Sequence, residues 1–421
     1  MKLLSTLTSI VSLASATILQ SGQVRPHDYP NTTIPAISLN DSTWETYPAS
    51  ALELSYKGRW DRQYISWWSA PGLKFGFHGS HVAISFGNYT TDGVLVTYRL
   101  DGQDWMLTNV TANNTHLFIT PSTMGYNSTE SSDALRTFEL RVTNWAYGVQ
   151  IKSVHVSGES HKLVKIPDYP RRIEIIGDSL SAGQYATLES VMSYSWGLAY
   201  GLGETEFSIT AYPGICLVDK NCWGNPHGQT LQWLKTPDTS YRALQLYGED
   251  PAGIPDWDFS ARPAADITII NLGTNDNNTA NNVTHPQFRA AYTHLITQIH
   301  TLWPSTQIIV LSVWNGFHRS GSTWQQSAPG FDDIIQDVVR SFNDGGSLNE
   351  AGGEGFVHYF NTTGILQHND VGPQWHPTDF GHVKVASHLM QYVRLVFGWE
   401  LRQTGPEVQQ GTLYWNDQSS Y

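Results

Sequence analysis

Short alternating runs of apolar and polar residues occupy the first half of the chain. They lie at residues 73–77, 82–86, 94–98 and 137–142. Turn dipeptides such as Asp92-Gly93 and Asp101-Gly102 separate them. Alternation with period two is typical of half-buried strands, and many short strands separated by turns indicate an antiparallel sandwich. We therefore predict an all-β sandwich domain over residues 48–165.

The pattern changes after Pro167 and Pro170. Runs rich in Ile and Val, typical of strands buried on both faces of a parallel sheet, lie at residues 171–176, 266–272 and 307–313. Apolar residues with helical spacing predict helices over 287–302, 332–342 and 380–397. Strands that alternate with helices predict a three-layer α/β domain with a parallel sheet over residues 170–400. Its functional loops should follow the carboxyl ends of the strands.

Both ends of the chain fall outside this alternation. Residues 1–16 have the features of a signal peptide, namely Lys2, an apolar stretch over 3–13 and a small-x-small cleavage site that ends at Ala16. We therefore expect a secreted, extracellular and soluble product. Residues 17–47 are rich in Pro, Thr, Asn and Ser and predict an exposed lead-in. Residues 401–421 form a polar tail, either free or packed back through Tyr414 and Trp415.

Composition narrows the class of partner. The 421 residues include 16 Trp and 20 Tyr, yet only 14% are charged, against roughly 25% in an average soluble protein. Flat rings with little surrounding charge suit stacking on sugar faces, although most single Trp residues are expected to lie in a core. The net charge of −13 argues against nucleic acid, whose phosphates require clustered Lys and Arg. No membrane partner is indicated.

Two further features agree with a secretory route. The only cysteines, Cys216 and Cys222, enclose a short loop, and in an oxidising compartment we expect a disulfide between them. A metal pair and a reactive thiol are the alternatives, but neither has supporting neighbours. Glycosylation sequons occur at Asn31, Asn40, Asn88, Asn109, Asn113, Asn127, Asn277, Asn282 and Asn361.

A serine and a histidine stand where acyl-transfer chemistry would need them. The run 173–176 leads directly into Gly177-Asp178-Ser179, which places a hydroxyl at the mouth of the sheet. A serine becomes a good nucleophile only when a base removes its proton. His376 is the candidate base, since it lies on a loop just before a helix that Thr378 or Asp379 can cap.

Acyl transfer also needs donors directed at the developing oxyanion. Asn275 follows the strand at 266–272 and offers its side-chain amide. Gly214 follows another predicted strand and offers a backbone N–H, as does Ser179. The alternative is that these residues have only structural roles, with Ser179 as a helix cap, Asn275 in a turn and His376 as a packed surface ring.

These four segments, in this order, resemble the blocks of the GDSL/SGNH hydrolase superfamily. The resemblance implies a flavodoxin-like α/β domain and a serine esterase, with Ser179 and His376 as catalytic residues and Ser179, Gly214 and Asn275 as the oxyanion hole. The segments 58–60 and 375–377, together with Glu174, are similar to carbohydrate esterase family 2. That similarity implies a jelly-roll topology for the β domain and removal of acetyl groups from plant polysaccharides.

One position departs from the superfamily pattern. Members usually carry an Asp three residues before the His, and here that residue is Pro373. We therefore expect a Ser-His dyad whose ring is held by a backbone carbonyl, as the resemblance implies for some family members. Asp370 is the alternative third member of a triad.

Three tryptophans are candidate sugar platforms, namely Trp223, Trp314 and Trp375, with core packing as the alternative. We expect no cofactor and no metal, since no ligand cluster is evident, and an acetylated polysaccharide or oligosaccharide as substrate for a monomer. Two rival functions remain. One is a lipase or lysophospholipase of the same superfamily, and the other is a non-catalytic carbohydrate-binding protein.

Overall fold

The computed structural model describes residues 19–20, 23–24, 34–39, 43–127, 134–159, 161–327, 330–343 and 355–404. The expected signal peptide, the sequons at Asn31 and Asn40 and the tail beyond residue 404 lie outside the described residues. None of the helices in the described part of the chain has the length and apolar character that a membrane span requires.

Two antiparallel sheets form a sandwich in the first half of the chain. Their strands are β3 (Ala36–Ile37), β4 (Trp44–Pro48), β5 (Ser55–Trp60), β6 (Ser66–His78), β7 (His81–Phe86), β8 (Val94–Leu100), β9 (Met106–Val110), β10 (Thr115–Ile119), β11 (Arg136–Val142), β12 (Ile151–Ser157) and β13 (Lys162–Val164). The first sheet has the strand order β3-β10-β7-β12-β4, and the second has the order β6-β11-β8-β9, with β5 and β13 also paired to β6. A separate antiparallel pair joins β1 (Leu19–Gln20) to β2 (Gln23–Val24).

Alternate residues of both sheets meet in one core. Phe75, Phe118 and Phe138 are almost completely buried in it, and the rings of Phe75 and Phe138 stack at 5.0 Å. The core explains the period of two in the sequence, because every second side chain faces it. The sandwich is therefore present as expected, while its jelly-roll connectivity stays a prediction.

The second half builds a parallel sheet from β14 (Arg171–Gly177), β15 (Thr205–Ala211), β16 (Ile267–Asn271), β17 (Gln307–Leu311) and β20 (Val357–Phe360). The spatial order is β15-β14-β16-β17-β20. Numbered within this domain, that is the order 2-1-3-4-5 of a flavodoxin-like sheet. The predicted parallel α/β architecture is therefore confirmed.

Helices cover both faces of this sheet. They are α1 (Ser179–Ala182), α2 (Tyr194–Leu202), α3 (Gln229–Gln232), α4 (Tyr241–Tyr247), α5 (His285–Leu302), α6 (Asp332–Asn343) and α7 (Asp379–Phe397), with short 3-10 turns at Glu189–Met192, Phe259–Ala261, Thr279–Asn281, His368–Asp370 and Pro373–Trp375. One core contains α5 and α6, and the other contains α2 and α7. The strands alternate between the two cores, because Ile270 belongs to the first and Ile269 to the second.

Helix ends follow local sequence signals. A capping box formed by Thr284 and Gln287 starts α5, and such a box satisfies two otherwise unpaired N–H groups. Thr378 caps α7 by accepting the N–H of Gly381, and α7 ends at Gly398 with φ of 68°, a backbone conformation that glycine adopts without strain. This cap, two residues after His376, fixes the start of α7.

The two halves share one continuous sheet. Strand β6 of the sandwich pairs antiparallel with β15 of the α/β domain, with Ser69 opposite Ile209. A buried ion pair also crosses the junction, because Lys57 lies 2.7 Å from Glu206, and Lys57 makes a second contact of 2.7 Å with the exposed Asp168. Unpaired burial of such charges would be costly, so this pairing favours one fixed arrangement of the two halves.

Two local expectations differ from the structure. The segment 17–47, predicted as an exposed lead-in, contains β3 and most of β4, which pair at the two edges of one sandwich sheet and have half-buried or exposed side chains. A hairpin of β18 (Phe317–Ser320) and β19 (Thr323–Gln326) follows β17, although the sequence pattern did not predict it. Its residues are mostly exposed, so it has little of the apolar alternation that signals a strand.

Candidate active site

Three strand ends bring the predicted site together. In register, Gly177 at the end of β14 lies beside Ala211 of β15 and Asn271 of β16. Ser179, Gly214 and Asn275 each follow one of these strands within a few residues. Because parallel strands end at one edge of the sheet, residues far apart in the chain become neighbours there.

Ser179 is the first residue of α1, directly after the turn that ends β14. The carboxylate of Asp178 caps this helix by accepting the N–H of Leu180 at 3.0 Å. The hydroxyl of Ser179 lies 2.8 Å from Nε2 of His376. A hydroxyl and an imidazole at this distance form the hydrogen bond through which a base can remove the proton of a nucleophile.

A main-chain carbonyl orients the imidazole. Nδ1 of His376 lies 3.0 Å from the carbonyl oxygen of Gln374, so the ring carries its proton on Nδ1 and presents a lone pair on Nε2 toward Ser179. Gln374 and Trp375 adopt left-handed φ values of 49° and 64°. Two such residues in succession cost conformational energy, and here they form the tight turn that directs this carbonyl at the ring.

Asp370 does not occupy the position of a third triad member. Its carboxylate is fully buried and accepts bonds from Lys384 Nζ at 2.6 Å and from the N–H of Gln367 at 2.7 Å. Its carbonyl accepts the N–H of Thr378 at 2.8 Å. Asp370 therefore supports the loop that carries His376 and does not contact the ring, contrary to the triad alternative.

Burial sets the protonation state of His376. The imidazole is half-buried, and desolvation lowers its pKa below the ordinary value, while the hydrogen bond to the carbonyl of Gln374 partly opposes this shift. Tyr185 contributes to the enclosure, since its ring meets that of His376 edge to face at 5.0 Å. A lowered pKa keeps the ring neutral near pH 7, which is the state a general base requires.

The candidate oxyanion donors are held by the same loops. Gly214 adopts φ of 77°, a conformation that L side chains rarely take. Nδ2 of Asn275 donates to the carbonyl of Ile215 at 2.9 Å and more weakly to Asp178 Oδ2 at 3.4 Å. The amide of Asn275 thus lies between the turn of Gly214 and the turn of Ser179.

Asp276 binds the oxyanion loops to each other. Its carboxylate accepts the N–H groups of Leu217 at 2.8 Å and Val218 at 3.0 Å. Burial raises its pKa to about 6, against the effect of these N–H groups. Burial likewise raises the pKa of Asp178 to about 7, with the charge of Asp276 adding to the shift. Both carboxyls shape the backbone around the site without facing His376.

The disulfide predicted from the sequence is present. Cys216 and Cys222 are bonded and fully buried, and they close the loop between Gly214 and Trp223. A Cβ added to Gly214 would lie 3.0 Å from Cβ of Trp223 and 3.1 Å from Nδ2 of Asn225. The cross-linked loop therefore packs directly against the oxyanion turn.

The three candidate sugar platforms separate into two classes. Trp223 is 57% exposed and Trp375 is 59% exposed, the first beside Gly214 and the second beside His376. Trp314 is only 8% exposed and packs on Tyr194 at 5.2 Å. Trp314 is therefore a core residue, because it is buried in the core that contains α2 and α7.

The sandwich also reaches the site. In the loop after β11, Nδ2 of Asn144 donates a hydrogen bond to the carboxylate of Glu189, ten residues after Ser179. The next residue, Trp145, meets Tyr212 edge to face at 5.3 Å, and Tyr212 begins the oxyanion turn. The β domain thus contacts the segment that follows Ser179, through Glu189, and the turn at residues 212–214, through Tyr212.

The described sequons differ in accessibility. Five of them are exposed, namely Asn88, Asn113, Asn127, Asn282 and Asn361, while Asn109 and Asn277 are half-buried. Nδ2 of Asn109 also donates to the carbonyl of Gly93 at 2.7 Å, and a glycan on this nitrogen would compete with that bond.

The backbone is similar to three solved esterase structures. A family two carbohydrate esterase from Clostridium thermocellum in complex with cellohexaose is 22% identical, with a TM-score of 0.62 and coverage of 82% of this chain and 99% of that chain. A carbohydrate esterase family 2 enzyme from Corynascus thermopiles is 18% identical, with a TM-score of 0.61 and coverage of 82% and 100%. An acetyl xylan esterase from Butyrivibrio proteoclasticus is 17% identical, with a TM-score of 0.62 and coverage of 85% and 100%.

The chain has the fold of the family two carbohydrate esterases. The resemblance inferred from the sequence is thereby confirmed at the level of the fold. The sequence itself matches no protein-family model, and a search of curated proteins finds no match either. Since one fold can host many chemistries, the activity depends on the geometry of this site.

Sequence reasoning missed several residues that shape the site. Gln374 acts through its main-chain oxygen, and every residue type carries that atom. Tyr185 lies six residues after the nucleophile in a segment without a clear period. Asp276 offered a signal, because an acidic residue directly after a strand-end Asn at the mouth of a sheet is placed to accept loop N–H groups.

Proposed function

We propose that this protein is a secreted serine esterase that removes acetyl groups from plant cell-wall polysaccharides through a Ser-His dyad. The observation that carries the proposal is the 2.8 Å contact between Ser179 Oγ and His376 Nε2, with the far side of the ring bonded to a carbonyl at 3.0 Å. An imidazole oriented by a carbonyl can act as a base, although it lacks the charge that a carboxylate contributes to the imidazolium.

In the proposed first step, Ser179 Oγ attacks the acetyl carbonyl and its proton passes to Nε2 of His376. The N–H groups of Ser179 and Gly214 and the side-chain amide of Asn275 donate to the tetrahedral oxyanion. The weak 3.4 Å bond between Asn275 and Asp178 is the one that Asn275 gives up. His376 then returns the proton to the departing sugar oxygen.

In the second step, water attacks the acetyl-enzyme and gives its proton to His376. The tetrahedral intermediate collapses, the bond to Ser179 Oγ breaks, and the proton on His376 restores the hydroxyl. Acetate leaves. The two steps use only atoms of the ester, of water and of the two side chains, and no oxidation state changes.

A carbohydrate substrate is supported by the surroundings of the nucleophile. The indoles of Trp223, beside Gly214, and of Trp375, next to His376 in the chain, are exposed, and such rings stack on the flat faces of sugars. The low charged fraction of 14% is consistent with an uncharged ligand. The fold likeness adds that one similar enzyme was solved with cellohexaose and that another is an acetyl xylan esterase.

The first test compares the parent protein with Ser179→Ala. We expect acetate release from acetylated xylan or glucomannan by the parent, and a kcat lower by about a thousandfold or more in the variant, since removal of a nucleophile eliminates the covalent route. His376→Ala should show a similar loss. No acetate release by either protein would contradict the proposal and favour a non-catalytic binding protein, whereas equal release by both would mean that Ser179 is not the nucleophile.

The second test addresses the substrate class. The parent should hydrolyse 4-nitrophenyl acetate with a higher kcat/KM than 4-nitrophenyl octanoate. Acetylated xylan, glucomannan and pectin, assayed side by side, then identify the polymer. A clear preference for the octanoyl ester would favour a lipase-type function instead.

A further inference from the structure

A large cavity opens at the junction of the two domains, and none of the four segments that carry Ser179, Gly214, Asn275 and His376 lines it. Its volume is about 720 Å³, and the residues that line it come from the turn between β5 and β6 and from the segments around Tyr247 and Trp257. Ligand sites are typically about 300–1,000 Å³ and often lie between domains. Neither the proposed mechanism nor the packing of the described cores uses this space.

Aromatic rings form much of its wall. On the sandwich side, the ring of Tyr56 lies 4.8 Å from that of Trp60 and 5.4 Å from that of Tyr64. On the α/β side, Tyr247 and Trp257 complete the lining. All of them except Trp60, which is buried, are half-buried, so each leaves part of its ring on the cavity surface.

The walls are held before any ligand arrives. The carboxylate of Asp61 accepts the N–H of Gln63 at 2.8 Å and of Ile65 at 3.0 Å, which closes the sandwich turn. The same carboxylate accepts Tyr247 OH at 2.8 Å, so it joins this turn to α4. A preformed site avoids the ordering cost that weakens binding to mobile loops.

The polar residues of the lining define the class of ligand. Arg62 and Gln63 belong to the sandwich turn, and Asp256 and Asp258 belong to the α/β domain; all line the cavity and are exposed. Donors and acceptors of both signs suit the hydroxyl groups of a neutral sugar, whereas a polyanion would meet the carboxylates. A long alkyl chain would leave these polar groups without partners.

We propose that this junction cavity binds a neutral glycan chain, as a site separate from the catalytic serine. A series of contacts connects the two sites, because Tyr247 packs on Trp67 at 5.9 Å and Arg242 lies over Trp67 at 4.5 Å. Arg242 also donates to the carbonyl of Ala146 at 3.1 Å, next to the sandwich residue that packs on the oxyanion turn. This series of contacts joins the wall of the cavity to the turn that carries Gly214.

The proposal rests on the proposed function only for the identity of the glycan, so its test uses a protein without catalytic activity. In the Ser179→Ala background, mobility in native gels that contain soluble xylan or glucomannan measures binding. We expect Trp257→Ala and Tyr64→Ala each to weaken retention by about fivefold, the usual effect of one lost aromatic contact. Tyr241→Ala is the matched control, since Tyr241 is 73% exposed on α4 but does not line the cavity.

A second readout uses the protein with Ser179 intact. Both cavity variants should lower kcat/KM for acetylated polymer while kcat/KM for 4-nitrophenyl acetate stays unchanged. The cavity proposal is overturned if both cavity variants are retained as strongly as Tyr241→Ala, or if none of the proteins, the parent included, is retained by the polysaccharide. If the parent hydrolyses no ester but the cavity variants still lose retention, the glycan site stands and the esterase assignment fails. Tyr64→Ala keeps the test decisive should Trp257→Ala not fold.

Discussion

The imidazole of His376 lies between two oxygen atoms, the Ser179 hydroxyl at 2.8 Å and the Gln374 carbonyl at 3.0 Å. A carbonyl fixes the tautomer of the ring but contributes no full negative charge to the imidazolium that forms. Asp370, the acidic residue expected as an alternative, is bonded to Lys384 and lies away from the ring. These facts lead to two predictions at the scale of single residues.

The first concerns Asp370→Asn. If Asp370 only supports the loop, the variant should retain kcat within about threefold of the parent, since asparagine can still accept the N–H of Gln367. A triad carboxylate would instead lose about a thousandfold or more. Steady-state kinetics with 4-nitrophenyl acetate makes the comparison, and Lys384→Met provides the control for loss of the ion pair alone.

The second concerns pH. His376 must be neutral to accept a proton, and burial lowers its pKa below 6.5. We therefore expect kcat/KM to rise with pH through an apparent pKa below 6.5 and to reach a plateau near neutrality, since the base form is fully populated above the pKa. A pH series from 4 to 9 measures this profile. An acidic limb centred above pH 7 would be incompatible with a half-buried ring whose Nδ1 faces an uncharged carbonyl.

At the scale of elements, the residues of the proposed mechanism lie in turns that follow the strands. The turn after β15 holds Gly214 at φ of 77°, beside Trp223 and Asn225. The helix α4 ends at Gly248 with nearly the same φ of 76°, but there a Cβ would meet nothing within 4 Å. Comparing alanine variants at the two glycines therefore distinguishes the general cost of positive φ from an effect specific to the turn that carries Gly214.

We predict that Gly214→Ala and Gly248→Ala each lose about 1 kcal/mol or more of stability, because alanine is strained at positive φ, and that Gly214→Ala loses an additional amount because its Cβ presses on Trp223 and Asn225. Only Gly214→Ala should lose kcat, by about tenfold to a hundredfold, because its N–H would move from the oxyanion. Urea denaturation and steady-state kinetics on both variants test this. Equal kcat in the two variants would remove Gly214 from the oxyanion hole.

At the scale of the whole molecule, buried charges join the two halves. Arg59 of β5 donates to the carbonyls of Trp233 and Lys235 at 2.5 and 2.6 Å. Its other terminal nitrogen lies 3.6 Å from Glu174 of β14. Glu174 also accepts Thr210 Oγ1 at 2.6 Å. The guanidinium and the carboxylate are almost fully buried, so each depends on the other for compensation of its charge.

Glu174→Gln should therefore lower the free energy of unfolding by about 3 kcal/mol, since it leaves a buried cation without its counter-charge. Unfolding should remain one cooperative transition, because the sandwich and the α/β domain share a sheet through β6 and β15. Calorimetry of the parent and the variant measures both quantities. Asp337→Asn is the control, because its ion pairs are exposed and its loss should leave the midpoint nearly unchanged. Two separate transitions in the parent would contradict this account.

The sequence by itself determined the order and kind of the elements. Period-two runs such as 82–86 became β7, and the Ile- and Val-rich run at 171–176 became β14. These predictions succeed because each side chain's burial follows from its position in a regular local repeat. The four blocks could also be located, since a parallel sheet places its strand-end loops at one edge.

Only the tertiary structure decided which atoms meet. The sequence could not assign the ring of His376 to the carbonyl of Gln374, since a main-chain oxygen is the same in every residue. It also could not separate buried Trp314 from exposed Trp223, or pair Asp370 with Lys384. These outcomes depend on packing between segments distant along the chain, where no local period exists, and so they appear only when the elements are assembled.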